Sequence, residues 1–182
     1  PELDVYLTSV TDHYGTVSIC GPNSKKILSK IIPKLDLSDK EFPHMSFKNA
    51  LIDNIRCRVM RISFTGEHSY EINIQASYAK SVWEKCFEAG KEFNITPYGT
   101  ETMHLLRAEK GFIIVGQDTD GTMTPLDLQM DWIISKKKYD FIGKRSLYRS
   151  DTIREDRKQL VGLLTDDPEE VLEEGAQIVS ET

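Results

Sequence analysis

Ser63-Phe64-Thr65-Gly66-Glu67-His68-Ser69-Tyr70-Glu71-Ile72-Asn73-Ile74 carries the end of one strand, a turn and the strand that returns. Residues 65–69 read as the turn. In the returning strand, residues 70–74, Tyr70, Ile72 and Ile74 fall on one face and Glu71 and Asn73 on the other, because successive side chains of a strand point to opposite sides. The strand before the turn spans residues 55–64. It sets Cys57, Val59, Arg61 and Ser63 against Arg56, Arg58, Met60, Ile62 and Phe64. Apolar residues on both sides predict partial cover on each face.

Working upstream, residues 45–52 form a further strand, joined to the next through the turn pair Asp53-Asn54. Before it, Ile27, Leu28, Ile31 and Ile32 share one helical face, with Asn23 or Ser24 as the cap and Pro33 as the stop. Residues 4–11 and 16–20 read as a hairpin closed by Asp12-His13-Tyr14-Gly15, with Gly15 supplying a positive φ. Downstream of Ile74, Ala79, Val82, Trp83, Cys86 and Phe87 repeat at helical spacing between a Ser77 cap and Gly90. Strands and helices in this order predict an α+β fold, a mixed or antiparallel sheet with helices on one face.

The rest of the chain is less regular. The pattern predicts a helix over residues 100–110, short strands at 112–115 and 132–135, residues 141–144 leading into a helix through about Arg149, a charged linker over 150–158, and strands at 160–164 and 175–179. The domain division expected from this is 1–94, a ferredoxin-like α+β lobe; 95–150, a segment of a second lobe; and 151–182, a linker and the start of a β-barrel.

Composition narrows the function classes. The 182 residues include 23 Lys+Arg and 29 Asp+Glu, a net charge of −6, with 39% hydrophobic and 29% charged residues. That balance buries a core, and an acidic chain without a long basic run argues against binding nucleic acid. No apolar run reaches the roughly 20 residues of a membrane-spanning helix, and Pro1-Glu2-Leu3-Asp4 has no signal-peptide character. Cys20, Cys57 and Cys86 make no CxxC pair, and the last two read as buried thiols of a reducing, cytoplasmic compartment. His13, His44, His68 and His104 have no metal-ligand spacing, so no metal site is expected. Asp118-Thr119-Asp120-Gly121 lacks the remainder of a calcium loop and reads as an Asx turn. Gly-rich phosphate loops and Gly-x-Ser-x-Gly elbows are absent from the sequence.

Glu71 admits two readings. A strand Glu between apolar neighbours commonly faces solvent. Facing a cleft, its carboxylate accepts two parallel N–H bonds from a flat edge such as an amino-pyrimidinone, and Phe64 offers that ring a stacking face.

Residues 63–72 resemble the motif Gly-Tyr-Thr-Gly-Glu-x-Gly-Tyr-Glu-Ile of the aminomethyltransferase (glycine-cleavage T-protein) superfamily. Gly21-Pro22-Asn23-Ser24 resembles its Gly-Pro-x-Ser helix start, Leu106-Arg107-Ala108-Glu109-Lys110-Gly111 its Leu-Arg-x-Glu-x-Gly, and Thr124-Pro125-Leu126 and Phe141-Ile142-Gly143-Lys144 two later landmarks. Within the superfamily, Pro97 to Glu101, Met103-His104 and residues 106–122 are most similar to the folate-binding region of the α subunits of heterotetrameric sarcosine oxidases.

The resemblance implies an aminomethyltransferase folate-binding fold and an oxidoreductase assembly that demethylates sarcosine to glycine and passes the one-carbon unit to tetrahydrofolate as 5,10-methylenetetrahydrofolate. Flavins and NAD, and the β, γ and δ subunits as partners, are implied outside this chain. Residue by residue, it implies that Glu71 pairs with the pterin N–H edge, that Phe64 stands where relatives often have a Tyr packed on the ring, and that Tyr70 belongs to the same cofactor-binding motif. Met103 falls where glycine-cleavage enzymes carry a folate-binding Arg, which favours the oxidase branch. Arg107 and Glu109 match family positions but read as packing residues. The family's catalytic Asp matches no residue here, so no catalytic residue is assigned, and a chain of this extent is expected to be an excised piece that does not turn over sarcosine. A glycine-cleavage aminomethyltransferase, a folate-dependent demethylase and a non-catalytic assembly or channel domain stay open as alternatives.

Overall fold

The computed structural model describes residues 3–177 and 179, in two compact units, Pro1–Ile113 and Ile114–Thr182. The first is α+β. Its strands are β1 (Tyr14–Cys20), β2 (Phe47–Ile52), β3 (Ile55–Met60) and β4 (Ser69–Gln75), and its helices α1 (Ser24–Ile31), α2 (Ala79–Gly90) and α3 (Thr100–Glu109). The sheet is antiparallel throughout, in the order β1-β4-β3-β2.

Alternation decides which face is covered. Tyr70, Ile72 and Ile74 of β4, Val17 and Ile19 of β1, and Cys57 and Val59 of β3 are buried with Ile27 and Leu28 of α1 and Val82 and Cys86 of α2. Removing an apolar side chain of this size from water is worth roughly 1.5–3 kcal/mol, so this one layer supplies most of the unit's cohesion. The opposite face of β4 carries Glu71 and Asn73, both part-buried, and β3 presents exposed Arg56 and Arg58 there. The helices therefore cover one face, and partial cover on both holds only where the β4 residues are shielded.

The turn 65–69 is tied down from two sides. Gly21 N–H and Ser24 Oγ–H both donate to the His68 carbonyl, at 2.9 and 3.0 Å. Gly66 adopts φ +79°, and a Cβ there would lie 2.3 Å from Lys110 Cγ, so Gly is required by both conformation and space. Lys110 Nζ closes the contact on Glu67 at 3.0 Å.

Several local expectations are corrected. Residues 4–10 form no strand and are exposed, because the free edge of β1 is not paired with them; a 3-10 turn (Thr11–His13) precedes β1 instead. Gly15 lies inside β1 rather than in a turn, and its role is close approach, since a Cβ would sit 2.5 Å from Ala79 Cβ. Neither Asn23 nor Ser77 caps a helix through its side chain, and the Ser24 hydroxyl is spent on His68. β3 ends at Met60, short of Phe64.

In the second unit, residues 112–115, 132–135 and 160–164 are not strands among the described residues. A short apolar run becomes a strand only where another backbone satisfies its polar groups, and here Asp131–Ile133 and Lys144–Tyr148 form 3-10 turns. The Lys144–Tyr148 turn replaces the helix expected to follow residues 141–144 through about Arg149. Within the 175–179 run, Ile178 lies outside the described residues, and 175–177 are not strand. This unit is organised by a buried charge. Asp127, 2% exposed, accepts the N–H and Oγ–H of Thr124 and two bonds from Arg157, at 2.7 and 2.6 Å. Arg157 also donates to Asp151 and to the Thr122 carbonyl, so the charged run 150–158 is anchored by its side chains. Among the described residues, no helix is long and apolar enough to cross a membrane.

Candidate functional site

The uncovered face of the sheet has a row structure fixed by strand register. Ser18, Glu71, Met60 and Phe47 lie side by side across the four strands, and the next row is Thr16, Asn73, Arg58 and Asn49. A cavity of about 870 Å³ opens over this face, lined by Thr16, Asn49, Arg58, Met60 and Asn73. It reaches the row of Glu71 at Met60, its cross-strand neighbour. Cavities of several hundred cubic ångströms accept a drug-sized ligand.

Glu71 is part-buried and has no hydrogen bond or ion pair with another described residue through its carboxylate. Burial pushes its carboxyl above the ordinary range, the signature of a charge deprived of water and given nothing in return. Tyr98, from the loop before α3, stands close enough to feel its charge and lines a cavity with Ser18 and Cys20. Burial, the Cys20 contact and the Glu71 charge push the phenol up to about 12, so it stays protonated. In the next row, Asn73 Oδ1 accepts from Thr16 Oγ1 at 2.8 Å, while its buried Nδ2 has no partner among the described residues. Orphaned buried donors are uncommon in folded proteins and mark places where a ligand or water completes the set.

Of the residues that sequence pointed to, Glu71 lies on this face. Phe64 follows the end of β3, 42% exposed, with its ring edge-on to His104 of α3 at 6.0 Å between centroids. Tyr70 is on the other side of the sheet. It is 0% exposed, packs on Phe42 at 5.8 Å and shares a 3.0 Å hydrogen bond with His68 Nε2. Neighbours in a strand face opposite ways, so Tyr70 and Glu71 do not line one cavity, and Tyr70 serves the core. Met103, on α3, lines a second cavity of about 420 Å³ with Trp83, Phe87 and Tyr98; that cavity also includes Ser18 and shares Thr16 with the first.

Sequence reasoning passed over Asn73, Tyr98, Arg56 and Arg58. Asn73 and the two arginines were within reach, since they share the strand alternation that singled out Glu71. Tyr98 was not, because nothing local ties residue 98 to residues 18 and 71. Cys57 and Cys86 are buried, and burial pushes the Cys86 thiol up to about 11, away from reactivity. No three His, Cys, Asp or Glu among the described residues converge as a metal-holding group.

Known proteins match this geometry's sequence closely. The chain is 55% identical over its whole length to "Sarcosine oxidase subunit alpha" of Corynebacterium sp. (strain P-1), of which it spans 19%. It is 38% identical to the protein of the same name from Rhizobium meliloti (strain 1021), covering 99% of this chain and 18% of that one. It is 33% identical over 139 residues to an aminomethyltransferase of Halothermothrix orenii, covering 76% of this chain and 38% of that one. The chain thus spans about a fifth of the length of the sarcosine oxidase subunits it matches. The family model for the GCVT N-terminal domain matches residues 1–138, and the chain belongs to that family.

Proposed function

We propose that this chain forms a tetrahydrofolate-binding part of a sarcosine oxidase α subunit, in an assembly that oxidatively demethylates sarcosine to glycine and captures the one-carbon unit as 5,10-methylenetetrahydrofolate. The observation that carries this reading is Glu71: a part-buried carboxylate without a partner among the described residues, on a sheet face that opens into a cavity. Its likeness to sarcosine oxidase α subunits and to aminomethyltransferases supports the same chemistry.

The residues fit such a ligand. A buried carboxylate that lacks donors is completed by the paired N–H groups of a pterin edge, and charge-assisted bonds of that kind are about twice as strong as neutral ones. Phe64 offers the ring an aromatic face. Its row neighbours Ser18, Met60 and Phe47 are neutral, and the nearby Tyr98 phenol stays protonated, so Glu71 is the only negative charge in its row. Bound tetrahydrofolate supplies the nucleophilic amine that takes up the one-carbon unit. The protein's work here is orientation, which converts an encounter into a positioned reaction. Flavin and NAD chemistry, and the β, γ and δ partner subunits, belong to the rest of the assembly in this reading.

Titrating tetrahydrofolate into the full-length chain, followed by the quenching of Trp fluorescence, tests it. Saturable binding and the tetrahydrofolate-dependent appearance of 5,10-methylenetetrahydrofolate during sarcosine turnover are expected. Absence of binding overturns the reading, and binding with the glycine-cleavage substrate but no use of sarcosine moves the chain to the aminomethyltransferase branch.

A further inference from the structure

The wall of the 870 Å³ cavity farthest from Glu71 is basic, in a chain whose net charge is −6. Arg56 and Arg58 both line it, no acidic residue lines it, and neither arginine makes an ion pair with another described residue. Exposed arginines of an acidic protein ordinarily find a carboxylate nearby. Arg58 is instead held in place by an aromatic surface, its guanidinium 5.0 Å from the centre of the Phe47 ring. Directly across from Arg58, one row from Glu71, is Asn73, whose buried Nδ2 has no partner among the described residues.

Register gives the distances. Each step of two residues along a strand advances about 7 Å, so Arg58, opposite Asn73, is one row from Glu71, and Arg56, opposite Leu51, is two rows or about 14 Å away. The face therefore offers a carboxylate for an N–H edge at one end, the Asn73 amide beside the Arg58 guanidinium in the next row, and the Arg56 guanidinium one row further.

We propose that Arg56 and Arg58, with Asn73, bind the acidic tail of the ligand whose heterocycle sits at Glu71: a pterin joined through an aryl spacer to an amino-acid carboxylate. This rests on the folate reading above. A guanidinium presents two parallel donors that match a carboxylate. The same charges set the direction of the ligand, because the reversed pose brings its carboxylates against Glu71 and leaves both arginines empty. Extra glutamates on the tail extend along the same basic wall.

The test compares two probes on the full-length chain, tetrahydrofolate and 6-methyltetrahydropterin, which lacks the tail. Replacing Arg56→Ala together with Arg58→Ala should weaken tetrahydrofolate roughly tenfold or more and leave 6-methyltetrahydropterin unchanged. In the unaltered protein, added salt should weaken tetrahydrofolate more steeply than the tailless probe. The proposal is overturned if the double variant binds tetrahydrofolate as before, or loses both probes equally. Glu71→Gln reports on the underlying reading independently: losing both probes upholds it, and losing neither removes it whatever the arginine variants do.

Discussion

Replacing Glu71 by Gln should move affinity and stability in opposite directions. In the free protein the carboxylate is part-buried and unpaired among the described residues, and burial raises its pKa. An acid whose folded pKa lies above its unfolded value costs stability as pH rises through the unfolded and then the folded pKa. Gln has the same shape without that cost, so the variant should melt at the same temperature or higher near neutral pH and lose the downward slope of stability with pH. Ligand binding reverses the sign, because the N–H edge of a pterin stabilises the ionised form. A hydrogen bond to a charged group contributes roughly 1.5–3 kcal/mol, so Gln should weaken tetrahydrofolate by roughly 10- to 150-fold. The unaltered protein should also bind less tightly as pH falls through the raised carboxyl pKa. Trp-fluorescence titration and thermal denaturation, run side by side on both proteins, measure the two effects. The reasoning fails if affinity changes less than twofold. It fails equally if the variant melts about 4 °C or more lower, a loss of about 1–2 kcal/mol for a chain of this size, since the carboxylate would then be holding the fold.

The two faces of β4 make contrasting predictions. Tyr70→Phe removes the hydrogen bond to His68 and should cost about 1 kcal/mol in thermal stability with tetrahydrofolate affinity unchanged; a tenfold loss of affinity would return Tyr70 to the binding site. Phe64→Ala should weaken tetrahydrofolate about three- to tenfold through the lost ring contact, and unchanged affinity would show that this ring does not stack on the ligand. In the second unit, Arg157 and the Thr124 donors hold the Asp127 carboxyl well below the usual carboxylate range. A depressed acid contributes stability above its unfolded pKa and loses it as pH falls through the folded one. Asp127→Asn should therefore lower the urea midpoint of this unit, followed by Trp132 in a Trp83→Phe background, more at pH 7 than at strongly acid pH, and equal midpoints at pH 7 would overturn that account.

Local physics made much of the first unit legible. Alternation over residues 69–75 assigned the core face of β4 before any neighbour was known, because a strand has only two faces and three consecutive same-side positions are apolar. Helical spacing did the same for α1 and α2, whose apolar stripes had one place to go. Glu71 stood out for the same reason, as the acidic residue on the face of β4 opposite Tyr70, Ile72 and Ile74. Segments such as 4–11, 112–115 and 160–164 misled because β-propensity reports a side chain that suits a pleated surface, whereas a strand exists only when another backbone lies beside it.

The chain's own sequence thus determined the covered face of β4, the helices α1, α2 and α3 and the identity of the one strand carboxylate. Tertiary structure decided what surrounds that carboxylate. Tyr98 arrives from a loop 27 residues away in sequence and Ser18 from a strand 53 residues away. Arg58 and Asn73 become neighbours only through the register of β3 on β4. Burial, and with it the raised pKa and the empty donor shell of Glu71, is a property of those meetings, and periodicity carries no information about groups that approach from so far along the chain.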